Sequence, residues 1–458
     1  KMTENNYDVV IVGAGIAGSI VAYQLGKAGK KVLILEGGAP VPADRSDYMK
    51  TFYLAQAKTP ESPYPPTTQD PEKSTADNPL GLPDPATENI PRYTVLQIDA
   101  WRKPDQCYFD YPPQPKGVQA DSLDMRFAFA SSYERVAGGT TWHWLGTSVR
   151  LFPEDFQLKT LYDQGVDWPG SADFYNNLVP YYETAINEIH VSGDKEAVTT
   201  LYKQYDVDPG GQYGADYNFP MPGIDMSMVD NLYDQTLSAN PMTYDGNPVY
   251  VTPTPQGRNS LPGERRQCAG NTNCIPICPI QAKYDGTVTL ARALQTGNVE
   301  IRYQHVANNI QVDETTGKIS GIDYITYDKH DGPATGSGTV TATSYVLAAH
   351  AIETPKLLLM SNKNKGFENG VANSSGQVGR NLMDHIMYLG WGLSKDPVYP
   401  YRGPLATSGI ESLRDGAFRK QRSAYRIEIG NEGWQWAAND PGTTLADFIF
   451  GQNNSQLN

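Results

Sequence analysis

Three cysteines fall within eleven residues, Cys268, Cys274 and Cys278, in a C-x5-C-x3-C arrangement braced by Pro276 and Pro279. Thiolates at such spacings can converge on iron or zinc. A tetrahedral zinc site asks for a fourth ligand, and no histidine lies nearby in sequence. A cluster with three cysteine-bound irons needs no fourth thiolate. Structural cysteines, reduced or disulfide-linked, are the alternative on spacing alone. The fourth cysteine, Cys107, stands apart and reads as a buried thiol.

A second chemistry is written near the N-terminus. Gly13-Ala14-Gly15-Ile16-Ala17-Gly18 fits G-x-G-x-x-G. The first glycine allows a tight turn, the second lets backbone approach a pyrophosphate, and the third lets helix and strand pack closely. The helix that follows offers N–H groups and the positive end of its dipole to an anion. Glu36 stands where a carboxylate would accept hydrogen bonds from the adenosine ribose hydroxyls. An ordinary glycine-rich turn is the alternative. A further segment, Val136-Ala137-Gly138-Gly139-Thr140-Thr141-Trp142-His143-Trp144, has paired glycines that let backbone approach a flat ring. His143 lies between two indoles, and by itself reads as readily as a packed histidine in an aromatic cluster. None of His190, His305, His330, His350 and His385 makes a Ser/His/Asp or metal constellation with its sequence neighbours.

These residues need elements to position them. Tyr7 to Val12 is a short apolar run rich in β-branched residues, which predicts a buried parallel strand. A helical pattern runs from Ile16 to about Ala28, and Lys31 to Glu36 reads as a second strand, giving a βαβ unit. Residues 40–125 are rich in Pro, Asp and Tyr with little periodicity, and read as an extended surface excursion. Helical pattern returns at Phe174–Glu188. The cysteine segment at 265–282 reads as a loop. Residues 299–326 alternate like a meander turned at Thr315-Thr316-Gly317. Tyr345–Ala349 predicts another buried strand, and Glu353–Ser361 the helix after it.

The 458 residues allow two or three domains or one large α/β enzyme. The formal charge is −14 and no basic run appears, which argues against nucleic acid or anionic lipid as partner. No stretch of about 18 apolar residues is present to span a bilayer.

In combination these segments resemble the glucose-methanol-choline oxidoreductases. The resemblance is carried by the N-terminal fingerprint, by Gly138–Trp144, by Ala351-Ile352-Glu353-Thr354-Pro355-Lys356-Leu357-Leu358-Leu359, and by Val378-Gly379-Arg380-Asn381-Leu382-Met383-Asp384-His385. With Asp167-Trp168-Pro169 and the cysteine loop through Ile280, the chain is similar to the flavoprotein large subunits of bacterial membrane-bound sugar and sugar-acid dehydrogenases. These include glucose, fructose, sorbitol and 2-ketogluconate dehydrogenases. The resemblance covers most of residues 7–425.

It implies an α/β chain, α+β overall, with a Rossmann-like FAD-binding domain and a discontinuous substrate domain. The FAD-binding parts are expected at 1–39 and 283–385, with a FAD-contacting segment at 126–160 and a proline- and tyrosine-rich insert at 40–125. Residues 161–264 and 386–458 are expected to belong to the substrate domain, and 265–282 to be the iron-sulfur loop. FAD is expected against Gly13, Gly15, Gly18, Glu36, Gly138, Gly139, Thr140, His143, Trp144 and Val306, with His143 at the position where related enzymes attach the flavin covalently. A [3Fe-4S] cluster is expected on Cys268, Cys274 and Cys278. The implied partners are a sugar or sugar acid, a multihaem cytochrome c subunit and a small export subunit. The implied place is the periplasmic face of the inner membrane, reached only through the cytochrome subunit; a cytoplasmic place is the alternative. The family's C-terminal Asn-His and Gly-Thr-Val-Asn segments are absent, so the sequence reads as incomplete and no catalytic base is assigned. An oxidase, or a fragment without catalysis, is the rival expectation.

Overall fold

The protein is described from a computed structural model. Its described residues are 7–42, 44–54, 135–142, 144–204, 218–270, 274, 278–328, 333–383, 394–399 and 403–431. The chain divides into two compact units, one of residues 1–143 with 285–390, the other of residues 144–284 with 391–458.

In the first unit, β1 (Tyr7–Val12) is the centre of the pattern. It pairs in parallel with β2 (Val32–Leu35) on one side and with Ala342–Leu347 on the other, while Val299–Arg302 extends the sheet beyond β2. All four strands run parallel, and the order (342–347, β1, β2, 299–302) reverses direction of growth at β1. That is the switch point, where the crevice beyond the strand ends opens for a ligand. Alternation along β1 sends Val9 and Ile11 to one core and Val10 and Val12 to another. Helix α1 (Ile16–Lys27) and the helix Gly286–Gln295 supply the first core through Ala22, Leu290 and Ala293. An antiparallel meander of His305–Val312, Ile319–Tyr327 and Ala334–Val340 supplies the second through Ile310, Ile322 and Val340.

The Asp313 carboxylate accepts from the Thr315 and Thr316 N–H groups and fixes the turn expected at 315–317. The expected meander differs at its start. Val299–Arg302 instead pairs in parallel with β2 and joins the first sheet. The excursion expected from residue 40 begins with a helix, Arg45–Leu54, whose first turn is capped by the Asp44 carboxylate. Residues 55–134 lie outside the described residues.

The second unit holds the helices Ser171–Ile189, Lys195–Gln204 and Met228–Ala239 and an antiparallel sheet of Thr252–Pro253, Ala406–Ile410 and Ile427–Gly430. Its core is Phe152, Ile186, Val191, Val198, Leu201, Tyr202 and Phe219. Ser227 opens the helix at Met228 by a reciprocal pair with Asp230, which also accepts from Thr407 and Ser408 in the sheet. Among the described residues no helix is long and apolar enough to cross a membrane.

Candidate functional site

The glycine turn leaves β1 at its carboxyl end and becomes the N-terminus of α1. Gly13 has φ +100°, and a Cβ there would sit 2.5 Å from the Ala348 carbonyl oxygen. Only glycine fits that turn. A Cβ on Gly18 would lie 2.0 Å from the Gly13 carbonyl oxygen, so its absence is what lets α1 close onto the turn. Gly15 is different. Its φ of −71° suits any residue, and a Cβ there would meet no protein atom within 4 Å. Nothing in the protein requires glycine at position 15, which fits a backbone kept bare for a dinucleotide pyrophosphate. No side chain caps the helix that starts there.

Glu36 follows β2 and is 6% exposed. One carboxylate oxygen accepts from the Ala14 N–H and the other from the Gly38 N–H, each at 2.7 Å. The carboxylate thus ties the glycine turn to the end of β2. Burial pushes its carboxyl above the ordinary range, against the pull of those two donors and of the Arg135 charge. Val306 faces the same region, within 3.8 Å of where a Cβ on Gly37 would be.

Gly138 (φ +91°) and Gly139 (φ +56°) bring the segment 138–142 against α1. The Gly138 N–H donates to the Ala14 carbonyl at 3.0 Å, and Gly139 approaches Gly15. Thr141 accepts from the Gly286 N–H at 2.9 Å. Trp142, 2% exposed, donates to the Ala137 carbonyl at 2.8 Å and packs at 6.2 Å from Tyr48. Thr140 lies in the same turn of 3-10 helix, Gly139–Trp142. Gly286 was not singled out from sequence, although Asp285 before an apolar run is a helix-start signal. A Cβ on Gly286 would come within 3.2 Å of Gly138, Gly15 and Ile16, so three chain segments meet at one helix N-terminus. His143, where a flavin link is expected, lies outside the described residues, as does His385. Trp144 belongs to the second unit, where it donates to the Tyr284 carbonyl at 2.7 Å and stacks edge-on to that ring.

One residue beside this cleft carries backbone strain. His350, at the start of the helix His350–Met360, has φ +73°. A left-handed non-glycine residue costs roughly 1–2 kcal/mol. Burial also lowers its imidazole pKa, with Glu353 opposing. The depressed value makes its neutral form a source of stability above the ordinary histidine range, lost as pH falls through the folded value. His350→Gly should therefore raise the thermal midpoint, by about 1 kcal/mol of stability, and by more at about pH 5 than at about pH 8. Calorimetry at both pH values checks this, and an unchanged or lowered midpoint would refute it.

The cysteines lie in the second unit, in the loop expected for them. None of Cys268, Cys274 and Cys278 is in a disulfide. Among the described residues no group of three or more His, Cys, Asp or Glu side chains is arranged to hold a metal ion. Cys274 is buried and its carbonyl accepts from Lys283 Nζ at 2.7 Å. The Cys268 N–H donates to the Asn259 carbonyl at 2.9 Å, and the Gly270 N–H points at its sulfur at 3.4 Å. Burial raises the Cys268 thiol pKa, and the Arg258 charge is the largest pull against it. Arg258 is 1% exposed, and among the described residues its Nε and Nη1 have no hydrogen-bond partner. The three unlinked thiols are of the donor type a thiolate-bound group takes, but the described residues do not arrange them as a metal site.

Comparisons with known proteins match segments of both units. Residues 253–387 match the family model of the GMC oxidoreductases, and residues 11–41 match an NAD(P)-binding Rossmann-like domain. The chain is 32% identical over 429 residues to the fructose dehydrogenase large subunit of Gluconobacter japonicus, covering 93% of this chain and 66% of that one. It is 27% identical over 290 residues to 2-methyl-1,2-propanediol dehydrogenase of Mycolicibacterium austroafricanum, covering 63% and 47%. It is 30% identical over 282 residues to 6'''-hydroxyparomomycin C oxidase of Streptomyces lividus, covering 59% and 46%. The chain thus spans from about half to about two thirds of the length of these relatives.

Proposed function

From the premise that the chain belongs to the glucose-methanol-choline oxidoreductase family, we propose that it serves an FAD-dependent dehydrogenase of a sugar or sugar acid. Its electron exit is a [3Fe-4S] cluster on Cys268, Cys274 and Cys278, and its electron acceptor a multihaem cytochrome c subunit. FAD, when bound, accepts the hydride from the alcohol carbon. The chain's own residues do the holding. The α1 N-terminus and the bare Gly15 backbone take the pyrophosphate, and Glu36 takes the ribose hydroxyls. Gly138, Gly139 and Thr140 bring backbone close enough for a flat ring to lie against it. Placement at the periplasmic face, with a small export subunit, belongs to the same proposal.

The observation that carries the dehydrogenase reading is the set of three unlinked thiols in one loop. The second reading is a flavin oxidase that releases hydrogen peroxide, with the cysteines structural. It is favoured by the lack, among the described residues, of a trio arranged to hold a metal ion. Cys274→Ser separates the two. On the dehydrogenase reading, flavin reduction by substrate stays near wild type and small dyes still turn over. Cytochrome reduction falls by more than the roughly 10–100-fold typical of losing an outer-shell partner of a metal. Wild-type protein free of iron, with oxygen consumed in step with substrate, would establish the oxidase instead.

A further inference from the structure

Two carboxylates flank the glycine turn. The strands on either side of β1 are β2 and Ala342–Leu347. Glu36 follows β2, and Glu353 stands in the first turn of the helix that follows Ala342–Leu347. An anionic pyrophosphate brought to the turn between them meets like charge on both sides. Helix α1 carries no basic side chain in its first turn, so it meets that anion with backbone N–H groups and its dipole alone. Arg135 lies across the gap. Its Cγ and Cδ pass 3.6 and 3.7 Å from where a Cβ on Gly37 would be, beside Val306. Its Nη2 reaches to 4.0 Å from Glu353 Oε1. The side chain thus starts over the residue after Glu36 and ends at Glu353, with the end of β1 between the two. At 4.0 Å it forms no hydrogen bond with Glu353, and Lys356 Nζ is nearer to the same oxygen, at 3.1 Å.

We propose that Arg135 is a pyrophosphate-binding residue of the dinucleotide crevice, held loosely by Glu353 in the flavin-free protein and turned onto the diphosphate when FAD enters. The proposal rests on the FAD reading above. A guanidinium offers several donors in a plane that matches phosphate oxygens, and its charge-assisted hydrogen bonds are stronger than neutral ones. Its side chain is 19% exposed, so its charge is less screened than at an open surface. The long contact with Glu353 is cheap to give up, because Lys356 stays with that carboxylate. Arg135 therefore supplies the positive side-chain charge that the first turn of α1 lacks.

The test is calorimetric titration of flavin-free, full-length protein with FAD, ADP and adenosine, in a His143→Ala parent so that no flavin link enters the readout. Arg135→Met, Arg135→Lys and Glu353→Gln are compared with that parent. Arg135→Met should bind FAD and ADP about tenfold or more weakly, the loss of a charge-assisted hydrogen bond. Its affinity for adenosine, which has no phosphate, should stay. Arg135→Lys should keep most of the ADP affinity. Glu353→Gln removes the competing acid, so it should tighten ADP and leave adenosine unchanged; it tests the proposal even where Arg135→Met does not fold. Equal ADP affinity in the parent and Arg135→Met overturns the role of Arg135 and leaves the FAD reading standing. Equal losses of ADP and adenosine overturn it too, because the side chain would then shape the nucleoside wall and not meet phosphate. So does a loss in Arg135→Lys as large as in Arg135→Met, or an ADP affinity that Glu353→Gln fails to raise. A parent that binds neither FAD nor ADP overturns the FAD reading and this role together.

Discussion

A Gly15→Val protein should fold as the wild type does and come through purification without flavin. The three glycines of the turn look equivalent in sequence and are not equivalent in space. Side chains at Gly13 and Gly18 collide with backbone, at 2.5 Å from the Ala348 oxygen and 2.0 Å from the Gly13 oxygen. Substituting either must move β1 or α1, and the fold suffers with the site. At Gly15 the backbone angles accept any residue and a Cβ meets no protein atom within 4 Å. The cost of a side chain there falls on whatever approaches the helix N-terminus. Overpacking costs roughly 1–3 kcal/mol, so flavin affinity should drop by about a hundredfold at the upper end. The expected pattern is an unchanged unfolding midpoint for the flavin-free protein with a lost flavin absorbance in Gly15→Val, and a lowered midpoint in Gly18→Ala. Full flavin content in Gly15→Val would remove the pyrophosphate from this turn.

The same contrast shows what the sequence could tell. The strand, turn, helix and second strand were legible because each carries a local signal: the β-branched run of β1, the glycines, and the helical pattern to Lys27. The helix Ser171–Ile189 was legible from about Phe174 despite Pro180, because its apolar face is regular enough to outweigh one missing donor. The partners of the turn were not legible. Gly286 and the 138–142 segment reach it from far along the chain, by contacts such as Gly286 N–H to Thr141, and no spacing rule predicts those. The helix Met228–Ala239 was missed although Ser227 and Asp230 form its capping pair, since three residues of cap make a weak signal before a mixed face.

Glu36 should couple flavin binding to a proton. Burial raises its carboxyl above the ordinary value, so the flavin-free protein keeps a proton there to higher pH than an exposed carboxylate does. That contribution to stability is whole below the ordinary carboxylate value and is lost as pH rises through the raised folded value. Ribose hydroxyls donate to the ionised form, so bound FAD pulls the value back down and expels the proton. Flavin affinity should therefore tighten as pH climbs through the raised value of Glu36 and level off above it. Measured by titration of apoprotein in a His143→Ala background, so that the readout does not depend on any flavin link at that residue, the slope should disappear in Glu36→Gln. The variant should also bind flavin more weakly at every pH, because an amide offers only one acceptor oxygen where Glu36 now serves both Ala14 and Gly38. Leaving one of those buried N–H groups unpaired costs about 1–3 kcal/mol, so Glu36→Gln apoprotein should also unfold at a lower denaturant midpoint. An affinity that is flat with pH in the parent, or a slope that survives in Glu36→Gln, would assign the proton to another group and take the ribose contact away from Glu36.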